Sequence, residues 1–249
     1  MMNKRCDRRE PVGLLQKYLT RCNILTKLAK QDIRTLLACK CLVEDYKHKL
    51  KSITLGAVAP VGWFTYPFLE HVEGCDMSKL RVFEWGGGNS TIMWGCRCKS
   101  VVTVESDDSW FDFLKKNTAN FKNITLFLSK DIDSYTKYII YHINDIDIIL
   151  IDGRWRYECA VVALQNIPQN VIIILDNSEW CPETNKLFSS HGYARIDFSG
   201  FGPSNQFSWC TSIFFKSMES PLLHPVKSPF CIGGISHDEC GYMFTGEHL

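Results

Sequence analysis

The sequence predicts an α/β protein: a doubly wound, mostly parallel seven-stranded sheet with an antiparallel last strand, preceded by an N-terminal helical segment. Three observations predict it. Short apolar runs such as VIIIL, Val171 to Leu175, alternate with longer amphipathic stretches, the pattern of parallel strands covered on both faces by helices. One run passes straight into three glycines and then into a helix-like stretch, in VFEWGGGNSTIMWG from Val82 to Gly95. The last two strand-like stretches, RIDFSG and SWCTSIFFK, flank a Gly/Pro turn and read as an antiparallel pair.

Taken in order, residues 1–52 read as helical. Leu14, Leu15, Tyr18, Leu19, Leu25 and Leu28 recur near helical spacing, and Asp32–Leu50 repeats the habit. These helices offer a surface for a homodimer. Residues 53–78, with GAVAPVGWFTYPFLEHV, form a connecting or lid segment. Residues 79–216 hold the alternating core, beginning with strand Leu80–Trp85, helix Ser90–Cys96, strand Val101–Glu105 and helix Asp108–Asn120. Ile124–Leu128, Ile146–Ile151 and Val171–Leu175 complete the parallel strands, with a helix ending near Gln165 between the last two. Residues 217–249, with Pro221, Pro225 and Pro229, read as an irregular tail.

Composition narrows the function classes. A formal net charge of +1 over 249 residues gives no global pull towards nucleic acid or membrane, and no basic run interleaved with aromatics tracks a nucleic-acid path. The basic start MMNKRCDRRE is followed by no apolar signal segment, and no run reaches transmembrane length. Twelve scattered cysteines then read as reduced thiols of a cytoplasmic protein. Cys39/Cys41 and Cys96/Cys98 are each separated by one residue, which does not suit zinc knuckles. His237 and Cys240 in the tail read as incidental.

In a doubly wound sheet ligands bind beyond the carboxyl ends of the strands. Here those ends carry Glu84 with Gly86, Gly87 and Gly88; Glu105; Ser129-Lys130-Asp131; Asp152-Gly153; and Asp176-Asn177. An acid about 20 residues beyond a glycine turn is placed to accept from ribose hydroxyls, the role expected of Glu105. The third glycine of a dinucleotide fingerprint is replaced by Thr91, and Glu84 stands where a carboxylate would repel phosphate.

The pattern E-x-G-x-G-N-S-T, with an acid closing the next strand, resembles the class I S-adenosylmethionine-dependent methyltransferases, whose fold is Rossmann-like. The likeness runs from about Leu80 to Lys216 and includes the Asp-Gly after the fourth strand and the late antiparallel strand. It implies S-adenosylmethionine as cofactor. It implies that Gly86 and Gly88 admit the methionine moiety, that Glu84 serves its amino group and that Glu105 takes both ribose hydroxyls. Ser106 or Asp107 would border the adenine, Asp131 would accept from its amine, and Trp85 and Trp110 are candidates to line it. Asp152 would lie beside the transferred methyl.

For a hydroxyl acceptor two routes stay open. One is a general base, Asp152 ahead of His191. The other is a divalent cation such as Mg2+ on Asp152, Asp176 and Asn177, as the resemblance to catechol-type O-methyltransferases implies, although GRWRYEC after the strand departs from those enzymes. The acceptor is expected to be a small molecule, methylated at oxygen. Arg154 and Arg156 would favour an acidic one, and Trp63 and Phe198–Trp209 are candidate walls for it. An NAD(P)-dependent oxidoreductase and a non-catalytic cofactor-binding interaction protein are the alternatives.

Overall fold

The computed structural model describes residues 61–203 and 207–227. The helical segment expected over residues 1–52, the start of the connecting segment and the His237–Cys240 pair lie outside the described residues. The described chain opens with helix α1 (Tyr66–Gly74), where Pro67 sits in the first turn, a position that needs no backbone donor. Strand β1 (Arg81–Trp85), helix α2 (Asn89–Arg97), β2 (Ser100–Glu105), α3 (Asp108–Thr118) and β3 (Ile124–Leu128) follow. Next come α4 (Ile132–Lys137), two 3₁₀ turns, β4 (Ile148–Ile151), α5 (Arg156–Asn166) and β5 (Ile172–Leu175). The described residues continue through α6 (Pro182–Ser190), β6 (Ala194–Gly200) and β7 (Trp209–Phe215) to a 3₁₀ turn at Pro221–Leu223.

The strands form one seven-stranded sheet in the order β3-β2-β1-β4-β5-β7-β6. β1 to β5 pair in parallel, and β7 runs antiparallel to both β5 and β6. From β1 the chain builds outwards through β2 to β3, then returns to place β4 on the other side of β1. The gap between the carboxyl ends of β1 and β4 is therefore the switch point at which such sheets bind ligands.

Strand side chains alternate between the two faces, and each face has its own apolar layer. Val82, Val101, Leu150, Ile174 and Ile213 meet Phe68 and Val72 of α1 and Trp94 of α2 on one side. Phe83, Val104, Ile151, Leu175 and Phe214 meet Tyr135 of α4, Ala160 of α5 and Phe188 of α6 on the other. At about 1.5–3 kcal/mol for each fully buried large side chain, these layers hold the strand ends in register.

Two stretches read as peripheral belong to the core. In the expected lid, Phe64 and Phe68 are fully buried and Tyr66 N donates to Phe201 O at 2.6 Å. In the expected irregular tail, Leu222 is fully buried, and the N–H groups of Val226 and Lys227 both donate to Gly74 O. No helix among the described residues is long and apolar enough to cross a membrane. The described cysteines are free thiols, four of them buried.

Candidate functional site

A cleft of about 410 Å³ opens at the switch point. Its floor is Gly86, Gly87, Gly88 and Gly153; Asn89, Ser90 and Asp152 stand on one side, Glu105, Ser106 and Asp107 on the other. Trp63, Trp110 and Arg154 close the rim. The two tryptophans come from segments far apart in sequence and meet edge to face, with ring centroids 5.7 Å apart. Buried Phe64 anchors the segment that carries Trp63. Asp107 caps α3 by accepting from Ser109 N and Trp110 N, which fixes the start of the helix that carries Trp110.

The three glycines do different work. Gly86 has φ +85, and a Cβ there would lie 2.4 Å from the Gly153 Cα; it is glycine so that the ends of β1 and β4 can touch. A Cβ on Gly87 would strike Leu114 and Thr103. A Cβ on Gly88 would meet nothing within 4 Å, and this residue faces the cleft. Their amide donors are all engaged within the protein. Gly86 N donates to Val104 O at 2.9 Å, Gly87 N to Glu105 Oε2 at 2.8 Å and Gly88 N to Thr91 Oγ1 at 3.1 Å.

Glu105 is the best prepared of the expected site residues. Its Oε2 accepts from Gly87 N, and its Oε1 accepts from Ser106 N at 2.6 Å and Asp107 N at 2.9 Å. Three backbone donors hold the carboxylate in one orientation at the cleft wall. Glu84 is placed differently from the expectation. It shares the face of Val82, so its side chain enters the core: it is 0% exposed and accepts from Ser90 Oγ, from Thr91 Oγ1 at 2.6 Å and from Thr103 Oγ1 at 2.9 Å. Burial pushes its carboxyl up to about 7, against the pull of those three hydroxyls. Glu84 ties the first turn of α2 to β2 and does not line the cleft.

Asp131 is also placed away from the cleft lining. It caps α4, accepting from Ser134 N at 2.8 Å and Ser134 Oγ at 2.9 Å, and those bonds lower its pKa. Trp85 is fully buried and donates Nε1 to Tyr135 O, so of the two tryptophans expected near adenine only Trp110 reaches the cleft. His191 follows α6 at the opposite edge of the sheet, where Nδ1 lies 2.8 Å from Leu187 O, and it does not line the cleft.

Asp152, Asp176 and Asn177 do come together, around a side chain. Arg156 donates Nη2 to Asp152 Oδ1 at 3.0 Å and to Asp152 O at 3.2 Å, and Nε to Gly153 O at 3.1 Å. Its Nη1 donates to Asp176 O and, at 3.4 Å, to Asn177 Oδ1. Asp176 is 3% exposed, and its Oδ1 accepts from Thr211 Oγ1 at 2.5 Å and Trp209 Nε1 at 3.1 Å, towards β7. Among the described residues no group of three or more His, Cys, Asp or Glu is arranged to hold a metal ion. The three residues expected to bind a divalent cation do not fit one, because Arg156 occupies the side-chain oxygens of Asp152 and Asn177 and the Asp176 carboxylate is turned towards β7. Burial raises the pKa of both Asp152 and Asp176; the charges of Glu84 and Glu105 add to the shift of Asp152, and the charge of Asp152 adds to that of Asp176. The sequence offers Arg156 as a cleft residue or as a helix-surface arginine, and neither reading contains its bridging role. The signal was the Asp152/Arg156 spacing of i,i+4 at the start of a helix.

No family model matches the chain, and no curated protein does. Among solved structures, the chain is similar to precorrin-6y C5,15-methyltransferase from Geobacter metallireducens GS-15, with 14% identity and a TM-score of 0.45, covering 60% of this chain and 87% of that one. It is similar to spermidine synthase from Thermotoga maritima, with 14% identity and a TM-score of 0.46, covering 64% and 58%. It is similar also to TYW2 from M. jannaschii in complex with AdoMet, with 14% identity and a TM-score of 0.43, covering 63% and 77%.

Proposed function

We propose that this chain is an S-adenosylmethionine-dependent methyltransferase that acts on a small-molecule acceptor at oxygen, with Asp152 as the base. The observation that carries the reading is the state of the glycine turn. All three of its amide donors have acceptors inside the protein, so none is left to grip a pyrophosphate, the way dinucleotides are held at such turns. Carboxylates of Glu105, Asp107 and Asp152 line the space instead. That setting suits a ligand with a sulfonium and an ammonium group, and it opposes a nicotinamide dinucleotide.

In this reading Glu105 accepts from the ribose hydroxyls, Trp63 and Trp110 border the adenine, and the open side of Gly88 receives the methionine moiety. The acceptor oxygen bonds to the methyl carbon as the carbon–sulfur bond breaks, and the electron pair stays on sulfur as a neutral thioether. Positioning in line supplies much of the rate. The acceptor's proton passes to Asp152, whose Oδ1 is held by Arg156 while its second oxygen remains for the transfer. A carboxylate whose pKa burial has raised is a stronger base at neutral pH than an exposed one. Exposed Trp180 and Phe207, with centroids 6.4 Å apart at the same sheet edge, supply an aromatic wall for the acceptor.

Calorimetry with S-adenosylhomocysteine and with NADH tests the cofactor: binding of the first and silence of the second are expected, and the reverse would overturn the reading. A methyl-transfer assay across a metabolite library tests catalysis. Cofactor binding with no transfer to any acceptor would favour the non-catalytic alternative.

A further inference from the structure

We propose that Arg156 takes the place of a divalent cation at this strand edge, so that the chain carries the site's positive charge as one of its own side chains. The cluster has the oxygen donors a hard cation would want: the Asp152 carboxylate, the Asp176 main-chain carbonyl and the Asn177 amide oxygen, at the ends of adjacent strands whose last residues, Ile151 and Leu175, are paired in register. The guanidinium answers all three residues at once through its Nε, Nη1 and Nη2 donors. A planar fork of fixed donors can do this; a single ammonium cannot.

The backbone is shaped for the arrangement. Trp155, immediately before the helix that carries Arg156, has φ 53, and Asn177 has φ 47. These are the only two non-glycine residues with positive φ among those described, and both flank the cluster. Such conformations persist where surrounding contacts enforce them. Here the Trp155 ring packs edge to face on Tyr135 with centroids 5.2 Å apart. A divalent ion added to the same ligands would sit within a few ångströms of the guanidinium and be repelled by it.

The test is metal binding, so it stands or falls independently of the reaction. The full-length protein is titrated with Mn2+ and free ion is read by electron paramagnetic resonance. Wild type is expected to bind no more tightly than about 1 mM, the weak end of protein sites for hard cations. Arg156→Ala, and Arg156→Gln as the neutral variant of more similar size, are expected to bind at least roughly tenfold tighter, and Asp152→Asn added to either should remove the gain. Arg156→Lys, which keeps a charge there, should resemble wild type. Tight binding by wild type that Asp152→Asn abolishes would overturn the proposal. So would folded Arg156→Ala or Arg156→Gln protein that binds no better than wild type.

Discussion

At the scale of the residue, neighbouring glycines separate folding from binding. Gly88 has φ 174, extended backbone open to any residue, and empty space where its side chain would be. Gly88→Val should therefore leave the melting temperature close to that of wild type while abolishing S-adenosylhomocysteine binding in calorimetry. Gly86→Ala should do the opposite in kind, losing stability by about 1–3 kcal/mol or more from left-handed strain and the contact with Gly153. Normal binding by folded Gly88→Val would mean that the glycines only turn the chain. The sequence located this turn but assigned Gly86 and Gly88 one purpose, because a letter G records the absence of a side chain and not what fills the space. Glu84 was legible as an acid at a strand end, yet the period of two along β1 sends it into the core beside Thr103. Its buried carboxyl has a consequence for pH. With a pKa raised from 4.5 to about 7, the folded state holds this proton more tightly than the unfolded chain does. The stabilisation is full below about 4.5 and is lost as pH rises through about 7. Glu84→Gln, neutral throughout, should show a flatter fall in melting temperature than wild type across that window; parallel curves would contradict the raised pKa.

At the scale of the element, the strands were the legible part. Ile124–Leu128 was read at its full length and the other strands to within about two residues, because apolar runs between turns are a strong local signal. The helices α4 and α6 were not, although α2, also short, was legible to within a residue at each end. α4 spans six residues, and its N-cap Asp131 was read as a ligand contact because a cap and a site acid look alike in sequence. The aromatics of the connecting or lid segment ahead of β1 suit either a cover for the cleft or a plug against the core, and the structure divides them between those two tasks. Phe64 is core and Trp63 is rim. Phe64→Ala should cost about 3–5 kcal/mol of stability in chemical denaturation. Trp63→Ala should barely change stability and should weaken S-adenosylhomocysteine binding by about 1–3 kcal/mol, the scale of a base–aromatic contact. If the two variants exchanged effects, the segment would be packed the other way round.

At the scale of the whole molecule, the site exists because the sheet changes direction at β1. Residues from the ends of β1, β2 and β4 converge there, and a ligand in the cleft joins both halves of the sheet. Such a ligand binds the folded chain and has no site in the unfolded one, so it must raise the melting temperature. At a hundredfold excess over Kd the gain is about 2.7 kcal/mol, or roughly 5–11 °C for a domain of this size. S-adenosylhomocysteine should give a shift of that order, and NADH none, because the glycine amides have no donor to spare for phosphate. Glu105→Gln keeps the shape of the wall and removes the charge on which the ribose contact depends. Loss of a hydrogen bond to a charged group is worth about 1.5–3 kcal/mol, so at the same ligand concentration most of the shift should disappear. The variant's own melting temperature without ligand must be the reference, since Glu105 also receives three backbone N–H groups. A full-sized shift in Glu105→Gln would remove Glu105 from the ligand's contacts and, with it, the assignment of this end of the cleft to the ribose.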